Sequence, residues 1–261
     1  MNDFEQLISA LDLKLFDKIE SQSTGNDKRS LLACQLAARE LSPTYNYLEI
    51  GSYLGGSIQP HLLDPKCARI FSVDKRPEKQ PDERGANYTY LNNSTARMLE
   101  KLGEVAPEDL DKITAIDGDT RSLKPEQIGE KIQLCFIDGE HTDEAAFADF
   151  KFCLKTLDTN GAIVFHDAAV TYNGLDESVK YLQQEGIRFR AYNLPDIIFV
   201  IEIGDFPLHK NPAITEMLLN NHTGYLYSLQ ANDNFRRFFN KPIFKFYRSL
   251  IGIGKRNNTF D

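Results

Sequence analysis

No apolar run in the sequence approaches the roughly 18 to 20 residues that cross a bilayer as a helix, so no transmembrane span is expected. A basic surplus is also missing. Lysine and arginine number 30 against 38 aspartates and glutamates, a formal charge of -8. A protein built to neutralise nucleic-acid phosphates needs the opposite balance, so no nucleic-acid partner is expected. Cysteine is scarce. Cys34, Cys67, Cys135 and Cys153 form no C-x-x-C pair and read as reduced, mostly buried thiols. The opening MNDFEQLISALDLKLF lacks a basic stretch followed by an apolar one, so no secretory signal is visible. Together with the thiols, this makes a cytoplasmic location the expectation. Internal repeats and low-complexity tracts are absent too.

What is present suffices for a sizeable core: 41% of residues are apolar and 26% charged. Leu7, Ile8, Leu11, Leu15 and Ile19 fall at helical spacing over 3–20, and a second helical stretch runs from about Ser30 to Glu40. From Tyr45 onward, short strand-like runs alternate with helical ones. The strands are expected at 46–51, 69–74, 112–117, 133–138 and 162–167, each nearly continuous in apolar character, as when both sheet faces are covered. The clearest helix lies at 142–157, with another near 175–185. Only NLPD separates RFRAY (188–192) from IIFVIEI (197–203), too short for a crossover, so this pair is an antiparallel hairpin.

The fold expected is a doubly wound α/β domain: a mostly parallel, seven-stranded sheet ending in an antiparallel hairpin. The division expected is an N-terminal helical layer at 1–44, the main domain at 45–204 and a C-terminal helical tail at 205–261. The tail is rich in aromatic and basic residues over Asn232 to Arg256, and packing, cleft cover or a homodimer contact are its expected roles.

Ligands of open α/β sheets bind at the carboxyl ends of the strands. The first strand ends in Glu49-Ile50-Gly51-Ser52-Tyr53-Leu54-Gly55-Gly56-Ser57. This is neither G-x-G-x-x-G nor a P-loop, and a zwitterionic cofactor tail suits it better than a pyrophosphate. The second ends in Asp74, where a carboxylate can accept both hydroxyl hydrogens of a ribose. The third ends in Asp117-Gly118-Asp119-Thr120, a polar turn able to reach an adenine amino group. The fourth ends in Asp138-Gly139-Glu140-His141 and the fifth in His166-Asp167. Adjacent strands lie about 4.8 Å apart, so Asp138, His166 and Asp167 are candidate ligands of one Mg²⁺-like ion. The histidine tilts the preference toward transition metals.

LEIGSYLGGS, then SVD, then DGD, resembles the cofactor motifs of class I S-adenosylmethionine-dependent methyltransferases. The Glu-x-Gly start and Gly-Gly-Ser end are similar to the catechol-type and macrolide-sugar O-methyltransferases, over about 45–203. The resemblance implies S-adenosylmethionine as cofactor. It places Glu49, Gly51, Ser52 and Ser57 at the methionine end, Asp74 at the ribose, Asp119 near the adenine, and Asp138 between cofactor and chemistry. It also implies His141 as general base beside Asp138, a divalent metal, and a small-molecule hydroxyl acceptor such as a sugar or natural product. Two other readings go with the same fold: a non-catalytic cofactor-binding or assembly protein, and a hydroxylase-like member of the family.

Overall fold

The computed structural model describes residues 3–85, 87–239, 241–244 and 246. Helix α1 spans Asp3–Ser9 and α2 spans Gly25–Leu41. The single long helix suggested by the spacing over 3–20 does not form. Leu11 sits at φ 49, a left-handed conformation that ends a helix, and only a 3-10 turn, Leu13–Phe16, follows. Helix α2 starts earlier than its apolar periodicity shows, because Thr24 and Asp27 form a reciprocal capping box there.

The main sheet begins with β1 (Tyr45–Ile50), followed by the short helix α3 (Gln59–Leu62) and β2 (Cys67–Asp74). Next comes a small hairpin, β3 (Lys79–Pro81) and β4 (Asn87–Thr89), which sequence periodicity did not suggest. Helix α4 (Thr95–Gly103) leads to β5 (Ile113–Asp117) and β6 (Ile132–Ile137). Helix α5 (Asp143–Thr156), β7 (Leu157–Phe165) and α6 (Tyr172–Gln184) follow. The antiparallel pair β8 (Phe189–Asn193) and β9 (Phe199–Ile203) completes the sheet, and α7 (Pro212–Leu219) and α8 (His222–Phe239) follow.

Seven strands order as β5-β2-β1-β6-β7-β9-β8. The first five are parallel; β9 runs antiparallel to β7 and to β8. This is the expected mostly parallel sheet with an antiparallel end. The chain leaves β1 toward β2 on one side and later returns to β6 on the other, so β1 and β6 flank the switch point where ligands bind. Alternate residues face opposite layers. Tyr47, Leu134, Phe136 and Val164 join one core cluster, and Leu48, Ile50, Cys135, Ile137 and Ile163 join the other. All four cysteines are buried and free.

The chain divides into two compact units between Leu218 and Leu219. In the second, α8 carries exposed Tyr225, Leu226, Leu229 and Phe238. Much of the aromatic-basic tail, from residue 247 onward, lies outside the described residues. Among the described residues, no helix is long and apolar enough to cross a membrane.

Candidate functional site

An open cleft lies over the carboxyl ends of β1, β2, β6 and β7. Gly51, Ser52, Ser57, Asp74, Asp138, His141, His166 and Asp167 all line it, so the expected strand-end residues converge on one space. Its wall also carries Glu20 and Asp27, giving five carboxylates with Asp74, Asp138 and Asp167, and no lysine or arginine among the described residues.

The β1 turn shows why glycine is required. Gly51 has φ +89, and a Cβ there would stand 2.2 Å from the carbonyl oxygen of Asp138. Its amide donates to Val73 O, and Asp138 donates its own amide to Ile50 O. The ends of β1, β2 and β6 are thereby held together.

Asp74 is 4% exposed, and its carboxylate is set from several sides. Tyr53 N donates to Oδ2 at 3.0 Å, Arg76 N to Oδ1 at 2.6 Å, and Arg76 Nη1 to Oδ2 at 3.3 Å. Arg76 is itself nearly enclosed, donating also to Tyr53 O and Asn93. Sequence reading did not single it out.

Glu49 does not line the cleft. It is fully buried and accepts from Tyr47 Oη at 2.6 Å and from Ser57 Oγ at 2.8 Å. Burial pushes its carboxyl up to about 8, against the two hydroxyl donors. It therefore reaches the cleft only through Ser57. Asp119 also stands off the cleft wall. Arg121 donates to both of its oxygens, and Lys75 lies 3.0 Å from Oδ2. The Arg121 hydrogen bonds hold its carboxyl well below the usual range. Lys75 reaches on to Glu140 at 3.0 Å. Beside these groups, Gly118, Thr120, Gly139 and the buried Asp149 line a recess with Gly51 and Asp74. Burial raises the Asp149 carboxyl to about 7, and Thr120 donates to it.

His166 takes a position that spacing could not show. Its Nδ1 lies 2.8 Å from Asp167 Oδ2 and 3.1 Å from Asp138 Oδ1, and its Nε2 lies 3.6 Å from Asp27 Oδ2. Burial alone would favour the neutral ring. Asp138, Asp167 and Asp27 overcome it and hold the pKa up at about 12. In this ion-free arrangement the ring nitrogen meets both carboxylates directly. The ligand atoms that do converge, within 4.8 Å of one another, belong to Asp138, His141 and Asp167.

His141 lies between two elements. Its Nε2 faces Asp167 Oδ2 at 3.1 Å, and its Nδ1 faces Asp82 Oδ2 at 3.5 Å. Asp82 lies in the β3–β4 loop and bridges to His141 along the backbone as well. Glu83 donates its amide to His141 O at 3.0 Å. The Tyr88 ring meets the His141 ring edge-on at 5.3 Å between centroids. Arg84 grips the Asp82 carboxylate at 2.8 and 2.7 Å. The hairpin is thus pinned to the turn after β6, with Tyr88 and Tyr90 lining the cleft.

Residues 48–168 match the family model described as a methyltransferase domain. Among solved structures, the chain is similar to the calicheamicin methyltransferase CalS11, at 16% identity and a TM-score of 0.50, over 78% of this chain and 94% of that one. An apo structure of CalS11, described as a TDP-rhamnose 3'-O-methyltransferase, gives 16% and 0.52, over 78% and 88%. The O-methyltransferase NovP gives 12% and 0.57, over 77% and 98%. At these identities the likeness is one of fold. No curated protein matches the chain in sequence. The matched segment spans the switch point and the strand ends that form the cleft, so the likeness to methyltransferase domains falls on the part of the chain that builds the site.

Proposed function

We propose that the protein transfers the methyl group of S-adenosylmethionine to a hydroxyl of a small-molecule acceptor, a sugar or another natural product. The observation that carries the reading is that Gly51, Asp74, Asp138 and His141 line one cleft at the switch point. Gly51, Ser52 and Ser57 face the methionine end, with Glu49 acting through Ser57. Asp74 takes the ribose hydroxyls. The recess beside Thr120 and Gly139 receives the adenine, and Asp119 contributes by holding Lys75 at its edge.

Methyl transfer is an in-line displacement at a sulfonium carbon, so its main demands are orientation and removal of the hydroxyl proton. His141, on the cleft wall beside Asp138, is the proton acceptor in this reading. The donor chemistry of Asp138 and Asp167 fits a divalent cation. Two carboxylates, with the remaining positions left to water and acceptor oxygen, suit Mg²⁺. These two residues would hold it, with His166 as the N–H donor behind them, and its chemistry when bound is to lower the pKa of the acceptor hydroxyl. Residues 45–204 form the catalytic domain in this reading, 1–44 a layer shaping its cleft, and 205–261 an accessory segment that pairs two copies. The buried free thiols support a cytoplasmic setting.

Calorimetry with S-adenosylmethionine and S-adenosylhomocysteine tests the first step. Labelled methyl transfer to a panel of hydroxylated acceptors tests the second. No heat with either cofactor form would end the reading. Binding with label carried only to amines or thiols would end the hydroxyl assignment.

A further inference from the structure

The carboxylate on the far side of His166 comes from outside the matched segment. Asp27 stands in the first turn of α2 and is fully buried. Its Oδ2 accepts from Thr24 N at 3.1 Å and Thr24 Oγ1 at 2.8 Å, and its Oδ1 takes Ile197 N, from the turn between β8 and β9, at 3.3 Å. The same Oδ2 faces His166 Nε2 at 3.6 Å. That nitrogen is buried and makes no hydrogen bond among the described residues, so the Asp27 charge is what it meets. The other nitrogen lies between oxygens of Asp138 and Asp167, where a lone pair would be repelled and an N–H is attracted. Three carboxylates therefore surround one ring, two at Nδ1 and one at Nε2.

We propose that Asp27 is a positioning residue for the methyl-transfer site. It holds the His166 ring from behind, so that Nδ1–H keeps Asp138 and Asp167 turned toward each other at the cleft. What those two carboxylates do there rests on the function proposed above; how they are held does not. Both side chains are enclosed, and Thr24 and Ile197 fix the Asp27 carboxylate where it faces the ring. The contact also gives the N-terminal layer a part in the site beyond covering the sheet.

The test is Asp27→Asn in the full chain, with ring and backbone proton exchange followed by NMR on ¹⁵N-labelled protein. Asparagine keeps the shape and one acceptor oxygen, which can serve Thr24 or Ile197 but not both, and removes the charge. The His166 ring N–H is expected to lose protection roughly 10-fold or more, while the amides of β6 and β7 keep theirs. A ring proton exchanging at the native rate overturns the proposal. So does a loss matched by the β7 amides, which would make Asp27 a residue of the fold alone. Should the variant not fold, the native protein decides: a His166 ring proton as labile as an exposed one is incompatible with a ring held on both sides. Calorimetry with S-adenosylmethionine runs beside these measurements. No heat from the native protein removes the functional reading and leaves the exchange result standing.

Discussion

His141 Nε2 lies 3.1 Å from Asp167 Oδ2, which joins the turn after β6 to the end of β7 across the mouth of the cleft. On the proposed reaction this puts the proton acceptor next to the carboxylate that faces the acceptor oxygen. His141→Ala is expected to lower methyl transfer by roughly 100- to 10,000-fold with cofactor affinity kept. Turnover assays alongside calorimetry check this, and an unchanged rate removes His141 from the mechanism.

Asp74 and Arg76 should separate by degree. Asp74 would meet the ribose directly, and its loss to alanine is expected to weaken S-adenosylmethionine binding roughly 10- to 100-fold. Arg76 acts indirectly, by fixing that carboxylate and the Tyr53 backbone, so Arg76→Met is expected to cost a smaller factor, about 10-fold. Equal affinities in all three proteins would show that Asp74 is not at the cofactor.

Gly51→Ala tests the strand-end junction itself. The new methyl group would fall 2.2 Å from a backbone oxygen, at a φ that alanine adopts only under strain. A loss of about 2 kcal/mol or more in denaturant unfolding is expected, together with loss of cofactor binding. A variant of native stability that still binds would mean the junction relaxes freely.

Glu49 gives a pH signature. Its folded pKa, raised by burial to about 8, lies above the value of an unfolded glutamate, so the folded state retains a proton that the unfolded chain releases. Its contribution to stability is fully present below the unfolded pKa of about 4.3 and is lost as pH rises toward the folded value. Glu49→Gln is expected to flatten the decline of stability over that window. A decline of native steepness in the variant, measured by urea unfolding at several pH values, would show that Glu49 ionises freely.

The parallel strands were legible because burial on both faces leaves a continuous apolar signature, and strand ends locate a site by topology alone. Gly51, Asp74, Asp138 and His141 were found that way. The hairpin at 79–89 was not, because Lys79, Pro81, Asn87, Tyr88 and Thr89 are exposed and show no alternation. Asp82 and Asp27 went with it: each is an acid in a polar stretch, and only the fold brings it to a histidine. Asp119 read as a ligand-facing acid, whereas Arg121, two residues on, occupies its carboxylate. His166 was placed beside Asp138 and Asp167 from strand ends alone, but its contact with Asp27 was not legible, since spacing along β7 says nothing of what a distant helix brings to the ring.

The five carboxylates of the cleft wall, with no lysine or arginine beside them among the described residues, bear on turnover. Before the proposed reaction, the donor molecule carries a sulfonium cation; afterward, the same molecule is a neutral thioether. A negative enclosure attracts the first more strongly than the second. On the proposed reaction, the charge that draws the methyl donor in therefore holds the spent cofactor less strongly once the methyl has gone.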